Sequence, residues 1–560
     1  MLTRRGMILG AALLGSASLA KRAGAAESRP IEAASKLREA IGRLPRKGGA
    51  SLRIPAGLYR FQDTGQAALE FEDIEDLSID ATGAVFLFNE RIAPISAVNC
   101  RNFRLNGGTI DWERPPFSQG DVISAAADQR TLEIRVDAGF PVTGAERIET
   151  LATYDRASGL MSLGGIDSYN GVEHVQLIGP QRLRLALSRP LGFKTEDTVV
   201  MRHQTYGVNA VSLEGCDNAV LRDLTIHAAP GMAVIGSRCN GVTIARLRIE
   251  PTPGSGRLMS TCADGVHLSS CRGKILIEDC FMRGMGDDCV NVLTPYLRVD
   301  QVVNSWTLAV STRNHWWIPK TDVVPPGHDL VYLSGRNYRV LGKGRVQASE
   351  PGRAEVIHLE GACPSGLEPG DLVMDATANQ HRLEVRGCRF PGNRARGVLA
   401  HDNATIADCS FANQFESAIL LSQSSWWLEG GPINAVAIDR CTFSGTSRRG
   451  RQAAAIQIES YAARDGAEVE VMDPAPSGTV SISRCTFDQC HGPALSAHSI
   501  EEIRVVQNVF RDMPPAVILL KNVERPVISE NTCSPPGSII DQGHKSGNIV
   551  EKNNAGLDIR

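Results

Sequence analysis

Aromatic residues are scarce in this 560-residue chain, at 5%, and neither sign of charge is in excess: 59 Lys+Arg stand against 62 Asp+Glu, a net of −3. So even a balance argues against a dedicated nucleic-acid or anionic-membrane binder, which would need a basic surface. Cysteine is dilute, 14 in the whole chain, and no CxxC…CxxC or HExxH spacing occurs. That excludes a disulfide scaffold and the common zinc enzymes. The one marked apolar run, Met7 to Ala20, is too short to cross a bilayer of roughly 30 Å as a helix. With 42% apolar and 22% charged residues the composition is that of an ordinary globular protein. Its 54 glycines favour a turn-rich, narrow core over a helical bundle.

The apolar run belongs to a targeting segment. Arg4 and Arg5 precede it, and Lys21, Arg22 and the small residues Ala23-Gly24-Ala25-Ala26 follow. Thr3-Arg4-Arg5-Gly6-Met7-Ile8-Leu9 resembles a twin-arginine signal, whose cargo crosses the membrane already folded. Residues 1–26 are therefore set aside from the fold. Export by a bacterium, to the periplasm or the medium, is expected.

What the chain does have is a repeat. A short alternating strand, a small residue and then Phe recur in Ile275-Leu276-Ile277-Glu278-Asp279-Cys280-Phe281, in Leu383-Glu384-Val385-Arg386-Gly387-Cys388-Arg389-Phe390 and in Thr405-Ile406-Ala407-Asp408-Cys409-Ser410-Phe411. Further copies end at Phe443, Phe487 and Phe510. Cys388 to Cys409 is 21 residues, and Cys485 to Asn508 and Asn508 to Asn531 are 23 each. Period-2 alternation recurring at this interval excludes a helical solenoid. It predicts an all-β fold, a right-handed parallel β-helix, with Cys or Asn and Phe stacked on their counterparts one coil away. The cysteines then read as small interior residues, which an exported protein tolerates if it crosses folded.

Two stretches lack the period but keep strand alternation. They predict two small β-barrel-like modules, 113–203 and 295–374, inserted between β-helix coils at 27–112, 204–294 and 375–560. Ile31–Ile41 is expected to be a helix capping the open end of the solenoid.

Chemistry concentrates in Ala263-Asp264-Gly265-Val266-His267 and Gly286-Asp287-Asp288-Cys289-Val290-Asn291-Val292. Asp264 and Asp287 are 23 residues apart, one coil, which predicts adjacent rungs about 4.8 Å apart. An isolated Gly-Asp-Asp is an ordinary polar turn. Three acids at this spacing repel one another, so at least one should hold a proton near neutral pH. Glycoside hydrolysis needs one protonated and one ionised carboxyl group. Asp264, Asp287 and Asp288 are the catalytic candidates. His267 is a candidate for a sugar hydroxyl or a structural histidine, Asn291 is a binding candidate on the same coil, and Arg257 is a weaker one. Further on, Asn393-Arg394-Ala395-Arg396 precedes Ser425-Trp426-Trp427-Leu428-Glu429-Gly430-Gly431. Trp426 and Trp427 offer flat faces for a pyranose, and Arg394, Arg396 and Glu429 offer donors and an acceptor.

With these phrases, and Pro115-Pro116-Phe117-Ser118-Gln119-Gly120 and Ala229-Pro230-Gly231-Met232-Ala233-Val234 beside them, the chain resembles the parallel β-helix glycoside hydrolases. Among them it is similar to the bacterial exo-acting α-1,3-galactosidases that remove terminal galactose from blood-group-B-type glycans. An Asp-Gly one coil before an Asp-Asp is shared with polygalacturonases. The inserted modules and the Arg-Ala-Arg-Gly and Trp-x-Glu phrases favour the galactosidases. The resemblance implies an inverting, three-aspartate hydrolase acting on an oligosaccharide or glycan with terminal α-galactose. No cofactor or metal is implied, and neither nucleic acid nor, once the leader is removed, membrane. Partly by likeness to polygalacturonases, and because it lies between two other carboxylates, Asp287 is expected to be the acid, with Asp264 and Asp288 activating water; exchange of Asp287 and Asp264 is the alternative. Inversion predicts a gap of roughly 6.5–9.5 Å between acid and base.

Leu293 and Thr294 stand where the family pattern would place a more polar pair. The Gly-His-Gly and Arg-x-Lys phrases that bind uronate carboxylates are missing at the expected distance, which argues for a neutral sugar. Three other readings remain: a polygalacturonase-like hydrolase of acidic polysaccharide, a non-catalytic β-helix glycan-binding protein, and a calcium-dependent lyase. A stalk has no use for three repelling acids. A lyase would want a basic proton abstractor beside the acids.

Overall fold

The computed structural model describes residues 16–62, 67–89, 92–311, 324–350, 355–450, 453–464, 467–470, 477–536, 538–542 and 546–559. Of the expected leader, residues 1–15 lie outside the described residues, and the rest begins a helix, Ser16–Gly42. Its C-terminal half places Ala34, Leu37 and Ile41 on one buried stripe against the first coils, as a cap should.

From there the chain winds a parallel β-helix whose coils stack in three ladders. One ladder runs through Ile95–Val98, Val211–Glu214, Val234–Ser237, Val266–Ser269 and Val290–Asn304. A second runs through Asp217–Arg222, Asn240–Ala245, Arg272–Glu278 and His381–Arg386. The third is a 12-stranded sheet of short strands. Parallel pairing continues across both insertions. Thr109–Trp112 pairs with Thr225–Ile226, and Phe281 pairs with Arg389.

The repeated phrase has a physical basis at the corner between the second and third ladders. Asp279, Gly387, Asp408, Arg440 and Arg484 all sit at positive φ, between 49° and 63°. This left-handed residue turns the chain sharply, and the residue after it points inward. Cys280, Cys388, Cys409, Cys441 and Cys485 fill those inward positions and are buried. The Cys441 N–H donates to Cys485 Sγ at 3.4 Å. Towards the C-terminus Asn takes over the same post: Asn508 Nδ2 and the Asn508 N–H donate to Asn531 Oδ1 at 3.0 and 2.9 Å. One step inward, Phe390, Phe411, Phe443, Phe487 and Phe510 stack at 4.6–5.2 Å between ring centroids. The ladder is as expected, and the thiols are structural.

The two inserted modules are differently built. The first, from Phe117–Ala125 to Thr198–Arg202, is one eight-stranded antiparallel sheet. Its pairing runs from Leu160–Met161 at one end to Val172–Gly179 at the other without closing, so the expected barrel is here an open sheet around its own core. The second starts within a strand: Val290–Leu293 belongs to the β-helix, and Tyr296–Asn304, on the same strand, to the module. Val290–Asn304, Thr307–Ser311, Glu355–Leu359, Val340–Glu350, Asp329–Leu333 and Leu372–Asp375 then pair in an unbroken antiparallel ring. Among the described residues that module is a closed six-stranded barrel.

Candidate active site

Asp264 sits in the bend two residues before the strand Val266–Ser269, and Asp288 two residues before Val290–Asn304. Val266 pairs with Val290, so Asp288, 24 residues on, is the rung neighbour of Asp264, not Asp287 as the 23-residue interval suggested. The coil is one residue longer here than the period measured further on. The rungs pass closely: a Cβ on Gly265 would lie 2.5 Å from the Cys289 carbonyl, and one on Gly286 2.4 Å from that of Cys262. Both bends therefore need glycine.

The column is hydrogen-bonded coil to coil. The Asp288 N–H donates to Asp264 Oδ1 at 3.1 Å, and the Arg396 N–H to Asp288 Oδ1 at 2.9 Å. Asp264 Oδ2 lies 2.7 Å from His267 Nδ1. Asp287 turns to the same cavity from the other side. Tyr206 Oη donates to its Oδ2 at 2.6 Å, and Arg394 Nη1 lies 3.4 Å from its Oδ1. All three carboxyl groups are buried, each with an oxygen within 4.8 Å of the others.

Burial raises the Asp264 carboxyl well above its ordinary range, and the Asp287 charge raises it further. Burial likewise pushes Asp288 up to about 8, against the opposing pull of Arg396. Both groups are deeply sealed, each 3% exposed. The expected wide gap is not seen: adjacent rungs hold the side chains alongside one another instead of letting them diverge. Three carboxylates this close could share one cation. Two carboxyls raised by burial and two guanidinium groups within 3.5 Å suit protons better.

These acids line a cavity of about 960 Å³. His267, Asn291, Arg394, Arg396, Trp427 and Glu429 line it too, as the sequence suggested. His267 and Asn291 are register partners on adjacent strands. His267 Nε2 and Asn291 Oδ1 are buried without a protein partner, and burial lowers the His267 pKa, keeping the ring neutral. Burial also pushes Glu429 up to about 8.

Two expectations fail. Arg257 is outside the cavity; it pairs with Asp111 at 2.7 Å and donates to the Trp112 carbonyl at 3.2 Å, tying its loop to the coil below. Trp426 does not line the cavity either, because consecutive residues of the tight turn between Ser424 and Glu429 face different ways and only Trp427 turns in.

Several lining residues carried no mark in the sequence. Tyr169, Arg147 and Glu149 come from the first module, and Tyr206 from the segment that follows it. Glu416 lies 3.0 Å from Arg396, and burial pushes Glu459 up to about 7. Glu416 was within reach of inference, since one 21-residue step from Arg396 lands on its neighbour Ser417.

Comparison with known proteins follows the same lines. The profile of the glycosyl hydrolases family 28 matches residues 201–302, the stretch holding all three aspartates. An α-1,3-galactosidase B of Akkermansia muciniphila is 28% identical over 444 residues, covering 73% of this chain and 55% of that protein. The chain thus spans about half the length of that relative. An α-1,3-galactosidase A of Shewanella woodyi is 24% identical, covering 74% of this chain and 75% of its own. Among solved structures, the A-module of an Azotobacter vinelandii mannuronan C-5 epimerase covers 90% of this chain and 95% of its own, with a TM-score of 0.37 and 11% identity.

Proposed function

We propose that the protein is an exported glycoside hydrolase that releases terminal α-1,3-linked galactose from a glycan, using Asp264, Asp287 and Asp288. One observation carries the reading: three buried carboxyl groups within 4.8 Å, two of them raised, facing a cavity of about 960 Å³. Cleaving an acetal needs a proton for the departing oxygen and a carboxylate for the incoming water. A cluster in which burial favours the protonated form of Asp264 and of Asp288, with Asp287 beside them, offers carboxyl groups for both roles. His267 Nε2, Asn291 Oδ1 and the indole face of Trp427 are placed for hydroxyls and the C–H face of the sugar. Tyr169 and Arg147 of the first module and the loop carrying Trp427 and Glu429 all contribute to the cavity lining.

Galactose as the sugar is supported by the names of the relatives, which match over 73–74% of this chain rather than the aspartate coil alone. Single displacement with inversion is the stereochemistry we propose. The separation rule that would assign this short gap to retention is drawn for two carboxyl groups; with three, water can rest on one pair while another group protonates the leaving oxygen. Export is supported by the buried thiol ladders, which survive an oxidising compartment if the chain arrives folded.

Incubation with an aryl α-galactoside, α-1,3-galactobiose and polygalacturonate tests the substrate: galactose should be released from the first two. Cleavage of polygalacturonate alone would move the protein to acidic polysaccharides. Replacing Arg4 and Arg5 by Lys should abolish export; undiminished export would refute the twin-arginine route.

A further inference from the structure

Arg394 is held by two carboxylates at once. Its Nε and Nη2 lie 2.8 and 2.6 Å from Asp167 Oδ2, whereas its Nη1 stands 3.4 Å from Asp287 Oδ1. Asp167 comes from the first module, on the short strand Asp167–Tyr169 that pairs outside the main path of the sheet. The Tyr169 ring, two residues on, packs against both Arg394 and Arg202, at 5.0 and 5.1 Å from the ring centroid. Arg202, the buried last residue of the module's final strand, donates through Nη1 to the carbonyls of Cys262 and Gly286, at 2.7 and 2.9 Å. These carbonyls precede Asp264 and Asp287 on adjacent coils.

We propose that the first module is a positioning element for the catalytic coil, in which Asp167 acts through Arg394 on Asp287. A guanidinium fork left free beside a carboxylate closes on it in a bidentate pair. By engaging two of the nitrogens, Asp167 restrains Arg394 to a single long contact, so Asp287 stays available to substrate. The proposal rests on the catalytic reading of Asp287.

The test uses Asp167→Asn and Asp167→Glu in the full chain, with kcat and KM on α-1,3-galactobiose across pH, thermal midpoints and a crystal structure of each variant. Charged groups facing Asp167 are Arg394, Arg202 and Arg449. Removing its negative charge leaves them uncompensated, which favours ionised aspartates, so the alkaline limb of kcat should move to lower pH. Asp167→Asn should lower kcat about 100-fold, the scale of a misplaced catalytic group, with KM changed less than about threefold. Asp167→Glu should recover part of the loss, and the Asn variant should show Arg394 bidentate on Asp287. A folded Asp167→Asn with unchanged kcat and pH profile, or with Arg394 unmoved, overturns the proposal. If Asp167→Asn does not fold, Asp167→Glu decides by the same two readouts. A wild-type protein inactive on galactosides would refute the functional reading, and the position of Arg394 in the variant would still decide this one.

Discussion

The two insertions interrupt the same solenoid at different corners, the first between the third and first ladders and the second between the first and second, and they serve the cavity in different ways. The first is an open sheet. It delivers side chains to the catalytic coil: Tyr169 to the cavity wall and Asp167 to Arg394 from a short strand off the main path, and Arg202 from an interior strand to the carbonyls behind two aspartates. The second is a closed ring without a free edge, and among the described residues it places none in the cavity lining. It works from behind. The Tyr296 N–H donates to the Leu428 carbonyl at 2.8 Å, and Tyr296 Oη accepts from the Gly431 N–H at 3.1 Å. Arg298 reaches the Ser425 carbonyl at 3.2 Å, and Tyr338 Oη accepts from the Ser425 N–H at 2.6 Å. All four contacts fasten the loop that presents Trp427 and Glu429. Closure satisfies backbone hydrogen bonds and so stiffens a module, at the expense of edges that could reach elsewhere. The first module should therefore govern turnover and the second substrate binding.

The catalytic coil sets the scale for that contrast. Asn in place of Asp264, Asp287 or Asp288 should lower kcat by about 10²–10⁴-fold, the usual worth of a general acid or base. A substrate with an activated leaving group should partly rescue only the variant that has lost the acid, which assigns the roles. Next in size comes Arg202→Lys. It keeps the charge but not the planar group whose Nε on Thr150 holds Nη1 against both carbonyls, and should cost about 100-fold in kcat with KM little changed. A pure KM effect would break the contrast from the first module's side. In the second module, Tyr338→Phe removes the acceptor of the Ser425 N–H; about 1 kcal/mol lost there should raise KM several-fold and spare kcat. Trp427→Ala should do the same directly, by about 1 kcal/mol of lost stacking, with the thermal midpoint nearly unmoved. Loss of folding instead would make Trp427 a core residue.

A last, smaller effect concerns stability. Asp288 has its folded pKa raised to about 8. Between the unfolded value, near 4, and that pH the folded state binds more protons than the unfolded one, so stability falls as pH rises. Asp288→Asn should abolish this part of the slope and stabilise the protein at pH 7 by at least about 1 kcal/mol, read from urea melts at pH 5 and pH 7. Its Oδ1 can still accept the Arg396 N–H. An unchanged pH slope would mean that Asp288 is already ionised.

Much of this was legible in the sequence because it repeats. The Cys-to-Phe phrase pointed to the inward ladder and the aromatic stack, and its two gaps marked where the solenoid is interrupted. The aspartates stood out because they recur at about one coil. Their register did not, because a single extra residue in that coil pairs Asp264 with Asp288. Arg257 and Trp426 were plausible by type, but an ion pair with Asp111 and the turn of the loop take them elsewhere. The first module's share of the site was hidden for a different reason. Asp167 and Arg394 are 227 residues apart, and no period links an inserted sheet to the coil it leans on.

The central claim is that the aspartate cluster hydrolyses a terminal α-galactoside by direct attack of water. Proton NMR of α-1,3-galactobiose during the first minutes of turnover tests it most directly. The account predicts β-galactose appearing first and the α anomer only later, by mutarotation. Initial release of α-galactose, or no release of galactose at all, would contradict it.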